Sequence, residues 1–184
     1  NIEHIIPTPE AKEFMIGINA KEAEENKTKT EISNRHKIRP EFWAKTLEAV
    51  QNSSCSLFNN INPSKDHWLS AGSGLRSCPF SFIFGVKEVR VELWLARSNQ
   101  QENKFMFDYL YQHQDEIEQK FGNQLEWLRL DDKKSSRIQF RHLCDGYNKD
   151  NWPEMIEWLV NNMIGLENAF KDFLPKLNNQ LKNL

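Results

Sequence analysis

A chain of 184 residues with 39% hydrophobic and 27% charged residues, twelve Phe and six Trp carries enough apolar material for one domain with an aromatic-rich core, and only seven Gly argues against a glycine-rich barrel or a low-complexity chain. A formal net charge of −2 excludes attraction of nucleic acid or membrane by the chain as a whole, so any such contact must come from a local patch. The odd set Cys55, Cys78 and Cys144 does not suggest a disulfide framework, and no apolar run approaches the roughly 18 residues of a membrane span.

Reduced thiols and the lack of a signal-peptide pattern make the cytoplasm the expected compartment. The chain opens on Asn1 rather than Met, as a fragment or trimmed protein would. Residues 1–37 read as an N-terminal arm or linker, and 38–184 as a single domain. Within the arm, Thr8-Pro9-Glu10 marks a helix start, with a helix expected somewhere within 9–25. The stretch 21–37 is charged and nearly free of large apolar residues, as a solvated helix or a flexible linker would be.

Pro40 is expected to open a short helix over 41–51, with Phe42, Trp43, Leu47 and Val50 near helical spacing. A polar loop rich in Ser and Asn follows. Strands are expected at Trp68–Ala71, Phe80–Phe84 and Val89–Leu95, the last with strict alternation. The short turn Gly85–Glu88 makes the last two an antiparallel hairpin. A helix over 103–121 presents Phe107, Leu110, Gln114, Ile117 and Phe121 on one face, with Gly122 placed to end it. Strands over 125–130 and 137–143 flank the polar loop Asp131–Ser136. The last helix runs from near Pro153 to about Leu174 on the stripe Ile156, Leu159, Met163, Leu166, Phe170 and Phe173; Pro175 is expected to stop it, and the Asn-rich tail to fray. The predicted fold class is α+β: a mostly antiparallel sheet of five strands with helices packed on one face.

Several constellations bear on function. A metal-dependent nuclease of the PD-(D/E)xK type needs Glu-x-Lys on a strand beside a further acidic residue. Glu92 lies on a good strand, but Trp94 stands where Lys is required; Asp132-Lys133-Lys134 sits in a turn, and Glu118-Gln119-Lys120 on a helix. His142 and Cys144 share a strand face, yet zinc takes about four ligands and neither CxxC nor HxxxH occurs, so no metal or other cofactor is expected. Ser70-Ala71-Gly72-Ser73-Gly74 lacks the first glycine of a nucleophile elbow, and no catalytic residue is assigned. Gly72, Ser73 and Gly74 form a candidate anion loop, against the plainer reading of a bend needing φ > 0.

The sheet surface offers the candidate nucleic-acid site. Alternation turns Arg90, Glu92 and Trp94 to one side of the third strand and Arg137, Gln139 and Arg141 to one side of the fifth; Trp127 and Arg129 are expected to join them. Basic side chains interleaved with aromatics suit phosphates and stacked bases. The competing reading is a cross-strand ladder in which Glu92 and Glu126 neutralise those arginines. The C-terminal stripe is core, or alternatively the seam of a homodimer.

Taken together, Arg39-Pro40-Glu41-Phe42-Trp43, Trp68-Leu69-Ser70-Ala71-Gly72-Ser73-Gly74, Val91-Glu92-Leu93-Trp94, Asn103-Lys104-Phe105-Met106-Phe107-Asp108, Ile117-Glu118, Phe121-Gly122, Leu125-Glu126-Trp127, Ser135-Ser136-Arg137-Ile138 and Trp152-Pro153 resemble a bacterial family of domains of unknown function, number 4268, over about residues 38–171. The resemblance implies a place after an N-terminal PD-(D/E)xK nuclease-like domain, with the arm as the linker leading out of it. The expected function is therefore a non-catalytic module that binds DNA or RNA as accessory to a nuclease. The alternative is a protein-interaction or dimerisation module without nucleic-acid contact.

Overall fold

The structure is a computed structural model and describes residues 29–182. The helix expected within 9–25 lies outside the described residues. The described elements are α1 (Lys29–Gln51), β1 (Trp68–Ala71), β2 (Phe80–Phe84), β3 (Glu88–Leu95), α2 (Gln100–Tyr111), α3 (Gln114–Phe121), β4 (Glu126–Leu128), β5 (Ser136–Leu143), a 3-10 turn (Lys149–Asn151), α4 (Trp152–Phe170) and α5 (Leu174–Leu181). The strands form one sheet in the order β1-β2-β3-β5-β4, and every neighbouring pair is antiparallel. The fold is α+β, as the alternation of strand and helix periods predicts.

One face of the sheet makes the core. Val89, Val91, Leu93 and Leu95 of β3 are fully buried there, facing Leu159, Met163, Leu166 and Phe170 of α4, which are also fully buried. Both sets follow from period alone: every second residue of a strand, and every third or fourth of a helix, shares a face. Phe42 of α1 stacks on Phe84 of β2 at 3.8 Å and meets Trp152 edge-on, which ties α1 and α4 to the sheet's first half.

Prolines mark the helix ends differently from expectation. Pro40 lies inside α1 instead of opening it. An internal proline costs about 3 kcal/mol. Phe42 and Trp43, fully buried just beyond it, offset that at about 1.5–3 kcal/mol each. Trp43 Nε1 also donates to the Asp66 carbonyl at 2.8 Å, and Arg39 Nη1 to that of Lys65 at 3.2 Å. Pro175 does not end the structure. After the tight link from Phe173 N–H to the Phe170 carbonyl (2.9 Å), it sits in the first turn of α5, where a missing N–H costs nothing, and the Asn-rich tail continues helical with Leu174 and Leu177 buried. The helix expected over 103–121 is two helices. His113 N–H reaches back three residues to the Leu110 carbonyl (3.0 Å), which turns the chain so that α2 packs on β3 and β5 while α3 packs on α4.

The joint between α3 and β4 rests on one carboxylate. Glu118 Oε1 accepts from Leu125 N–H (2.9 Å), Trp127 Nε1 (2.8 Å) and Gln114 Nε2 (3.3 Å). Burial works against its charged form, but the three donors prevail and hold the carboxyl below its ordinary value. Because the folded value is the lower one, this stabilisation is present above the unfolded value and is lost as pH falls through the folded value. Glu118→Gln is expected to lose about 1–2 kcal/mol at neutral pH and to show a shallower acid limb in urea titrations; an acid limb identical to that of the parent would refute the assignment.

Candidate functional site

Register determines which side chains share the sheet face opposite α4. Directly opposite residues lie on the same side, so Ser70, Ser81, Glu92, Gln139 and Glu126 form one row across all five strands. A second row is Trp68, Ile83, Arg90 and Arg141, and a third joins Trp94, Arg137 and Leu128. Four of the six expected nucleic-acid residues, Arg90, Trp94, Arg137 and Arg141, are thus brought together.

The other two are not. Trp127 pairs with Ile138 of the core face, meets Phe107, Tyr111 and Phe170, and donates to Glu118. Arg129 makes a bidentate pair with Asp108 of α2 (2.8 and 3.0 Å) and a further one with Asp131. Both therefore lie on the helix side. The bond from Arg129 holds the Asp108 carboxyl below its usual range.

The sheet face opposite α4 is wired by charge pairs. Arg90 donates to Glu88 (2.7 Å) and to Glu92 (3.2 Å). Arg141 meets Glu126 at 2.7 Å and Glu88 at 3.6 Å, and Gln139 Nε2 donates to Glu126 at 3.3 Å. Ser70 and Ser81 share a hydrogen bond of 2.7 Å. Glu92 and Ser81 are fully buried, while Arg141 keeps about half its side-chain surface open at 48%. The face thus has a buried half over β1–β3 and a more open half over β5–β4, in which Gln139 is nonetheless buried and Arg141 and Leu143 are exposed. At the open end, Leu143 is 70% exposed opposite Glu88, and Val86 in the β2–β3 turn is 42% exposed. This is the ladder with Glu92 and Glu126 that sequence alternation allows. Glu88, which the sequence pattern places in the turn, begins β3 in the same alternation as Arg90.

Elsewhere the expected constellations resolve into structure. Lys120 of the Glu118-Gln119-Lys120 run pairs with Glu116 (3.2 Å) and Asp172 (2.9 Å). His142 stacks on Trp158 at 5.5 Å, and burial pushes the Cys144 thiol up. Among the described residues no three His, Cys, Asp or Glu side chains converge on one point, and no described helix is long and apolar enough to cross a membrane. Gly74 adopts φ +89° in the loop after β1, while Ser73 Oγ accepts from Leu75 N–H at 3.3 Å and donates to the Cys78 carbonyl.

One group had no sequence signal. Lys104 of α2 is 8% exposed, and its Nζ donates to the carbonyls of Arg129 (2.5 Å), Leu130 (2.8 Å) and Ser135 (2.8 Å) and to Ser136 Oγ (3.0 Å). Asn103 Nδ2 takes the Lys134 carbonyl (3.0 Å), and Gln100 Nε2 those of Asp131 (3.3 Å) and Lys133 (3.0 Å). The first turns of α2 thus clamp the β4–β5 loop by its carbonyls, leaving Asp131, Asp132, Lys133 and Lys134 exposed.

No curated protein and no solved structure matches this chain. The family described as Domain of unknown function (DUF4268) matches residues 38–174. That span is well over half of the chain, and the chain belongs to this family.

Proposed function

We propose that this chain is a non-catalytic protein-interaction module and that the open half of the sheet face opposite α4, over β5 and β4, pairs with a second copy. The supporting observation is charge pairing beside an apolar contact: Arg90 and Arg141 pair with Glu88, Glu92 and Glu126, and Leu143, with Val86 of the β2–β3 turn, stands exposed at the end of the face. Nucleic-acid binding draws on release of counterions by uncompensated cations, which a balanced face supplies weakly. A two-fold contact instead requires a self-complementary surface, and cation, anion and apolar group in one patch can match their own copy.

A patch two strands wide is smaller than the roughly 800 Å² per partner of a tight complex, so association is expected to be weak, with Kd on the order of 10–100 µM. Sedimentation across that range should show a monomer–dimer equilibrium that Leu143→Asp abolishes. A strictly monomeric parent protein would refute the dimer. The second reading, a nucleic-acid accessory to a nuclease-like domain, is favoured by Trp94 lying directly across from Arg137. It would be preferred if a labelled DNA strand bound with an affinity falling steeply with salt and lost in Arg137→Ala/Arg141→Ala.

A further inference from the structure

On the far side of the molecule, a cavity of about 300 Å³ lies between the Ser73-Gly74 loop and the junction of α4 with α5. Its walls are apolar, from Leu57, Phe80, Leu174 and Pro175. Two charges also line it: Glu167 in the last turn of α4, and Lys171, the residue that caps that helix. They stand four residues apart with Glu first, the spacing and order at which such side chains normally pair on a helix. Here they do not. Among the described residues neither side chain makes a hydrogen bond or ion pair, and the adjacent Asp172 is taken by Lys120 at 2.9 Å. An anion and a cation therefore line one apolar cavity close enough to feel each other's charge but without a hydrogen bond or ion pair between them.

We propose that this cavity is a binding site for a zwitterionic α-amino acid with an apolar side chain, its ammonium on Glu167, its carboxylate on Lys171, and its side chain against Phe80 and Leu174. The volume sits at the low end of the roughly 300–1,000 Å³ of small-ligand sites, which suits a single amino acid. Burial pushes the Glu167 carboxyl up while Lys171 draws it back, so a bound ammonium would favour a carboxylate that is partly desolvated there. The loop that brings Gly74 to the rim holds it at φ +89°, which any larger residue would adopt only under strain.

The test is calorimetric titration of the protein with L-leucine, isoamylamine and 4-methylvalerate, the last two lacking the carboxylate and the ammonium. Leucine is expected to bind at sub-millimolar to millimolar concentration, at least about tenfold tighter than either analogue. Glu167→Gln and Lys171→Gln should each weaken leucine by about tenfold, with near-parental folding by circular dichroism. No heat with leucine to about 10 mM, equal binding of isoamylamine, or unchanged affinity in either variant would overturn the proposal.

Discussion

Lys104→Met is expected to destabilise the protein by about 3–4 kcal/mol in urea unfolding at neutral pH, far more than a typical lysine substitution. Burial lowers the Lys104 pKa, so the ammonium is kept in place by its acceptors rather than by water. Removing it strands the carbonyls of Arg129, Leu130 and Ser135 and the Ser136 hydroxyl in a pocket shaped for a cation. Leu130 adds to the cost. It holds φ +54°, a conformation worth about 1–3 kcal/mol in a non-glycine residue and tolerated only where neighbours enforce it. Without Lys104 the β4–β5 loop should relax, seen as amide exchange rising at residues 129–136 while β3 stays protected. Because the folded pKa is the lower one, stability should rise with pH between the folded and unfolded lysine values, and that rise should vanish in the Met variant. A loss under about 1 kcal/mol would mean that the loop is held by Gln100 and Asn103 and that Lys104 is dispensable.

The sequence carries little trace of such a clamp, because its acceptors are backbone carbonyls and its donor is a lysine on an otherwise amphipathic helix. What was legible is whatever follows from period. Val89 to Leu95 and Leu159 to Phe170 repeat cleanly, and both sets are fully buried. Gly122 at φ +88° and Gly74 at φ +89° lie where turn chemistry calls for them. Register across strands was not legible. β4 is only three residues long, too short to show which of Glu126 and Trp127 faces inward. Its pairing with Ile138 places Trp127, partly buried, against the core side of the sheet, and Arg129 lies on the same side. Alternation within each strand thus suffices to bring Arg90, Trp94, Arg137 and Arg141 to one face, whereas the side taken by Trp127 and Arg129 depends on the alignment between strands. Proline was read by rule as a helix boundary at 40 and 175; tertiary burial of Phe42 and Trp43 overrode it at the first, and at the second the proline opens a helix rather than closing one.

The charge pair at the centre of the sheet face separates a structural role for that half from a functional one. Glu92 is fully exchanged from water and Arg90 is 7% exposed, with 3.2 Å between Arg90 Nε and Glu92 Oε2. Removing either partner takes one ion-pair contact from a largely desolvated charge, so Glu92→Leu, which leaves Arg90 its pair with Glu88 at 2.7 Å, and Arg90→Met are each expected to cost about 2–3 kcal/mol. Arg90→Met should be the worse of the two, because the carboxylate of Glu92 is the more deeply buried charge and Arg90 keeps Glu88 when Glu92 is lost. The double variant Arg90→Met/Glu92→Leu removes both charges and fills their volume with apolar atoms. It is expected to return to within about 1 kcal/mol of the parent, or above it, because the desolvation of two ions disappears with their attraction. Denaturant midpoints of the four proteins give the coupling directly, and additive single losses would show that the two charges do not act as a pair. The double variant also tests function: if the open half over β5 and β4 is the contact surface, self-association lost in Leu143→Asp should persist in Arg90→Met/Glu92→Leu, since neither buried charge reaches the partner. Loss of association in a folded double variant would move the contact to the centre of the sheet and return the arginine row to the site.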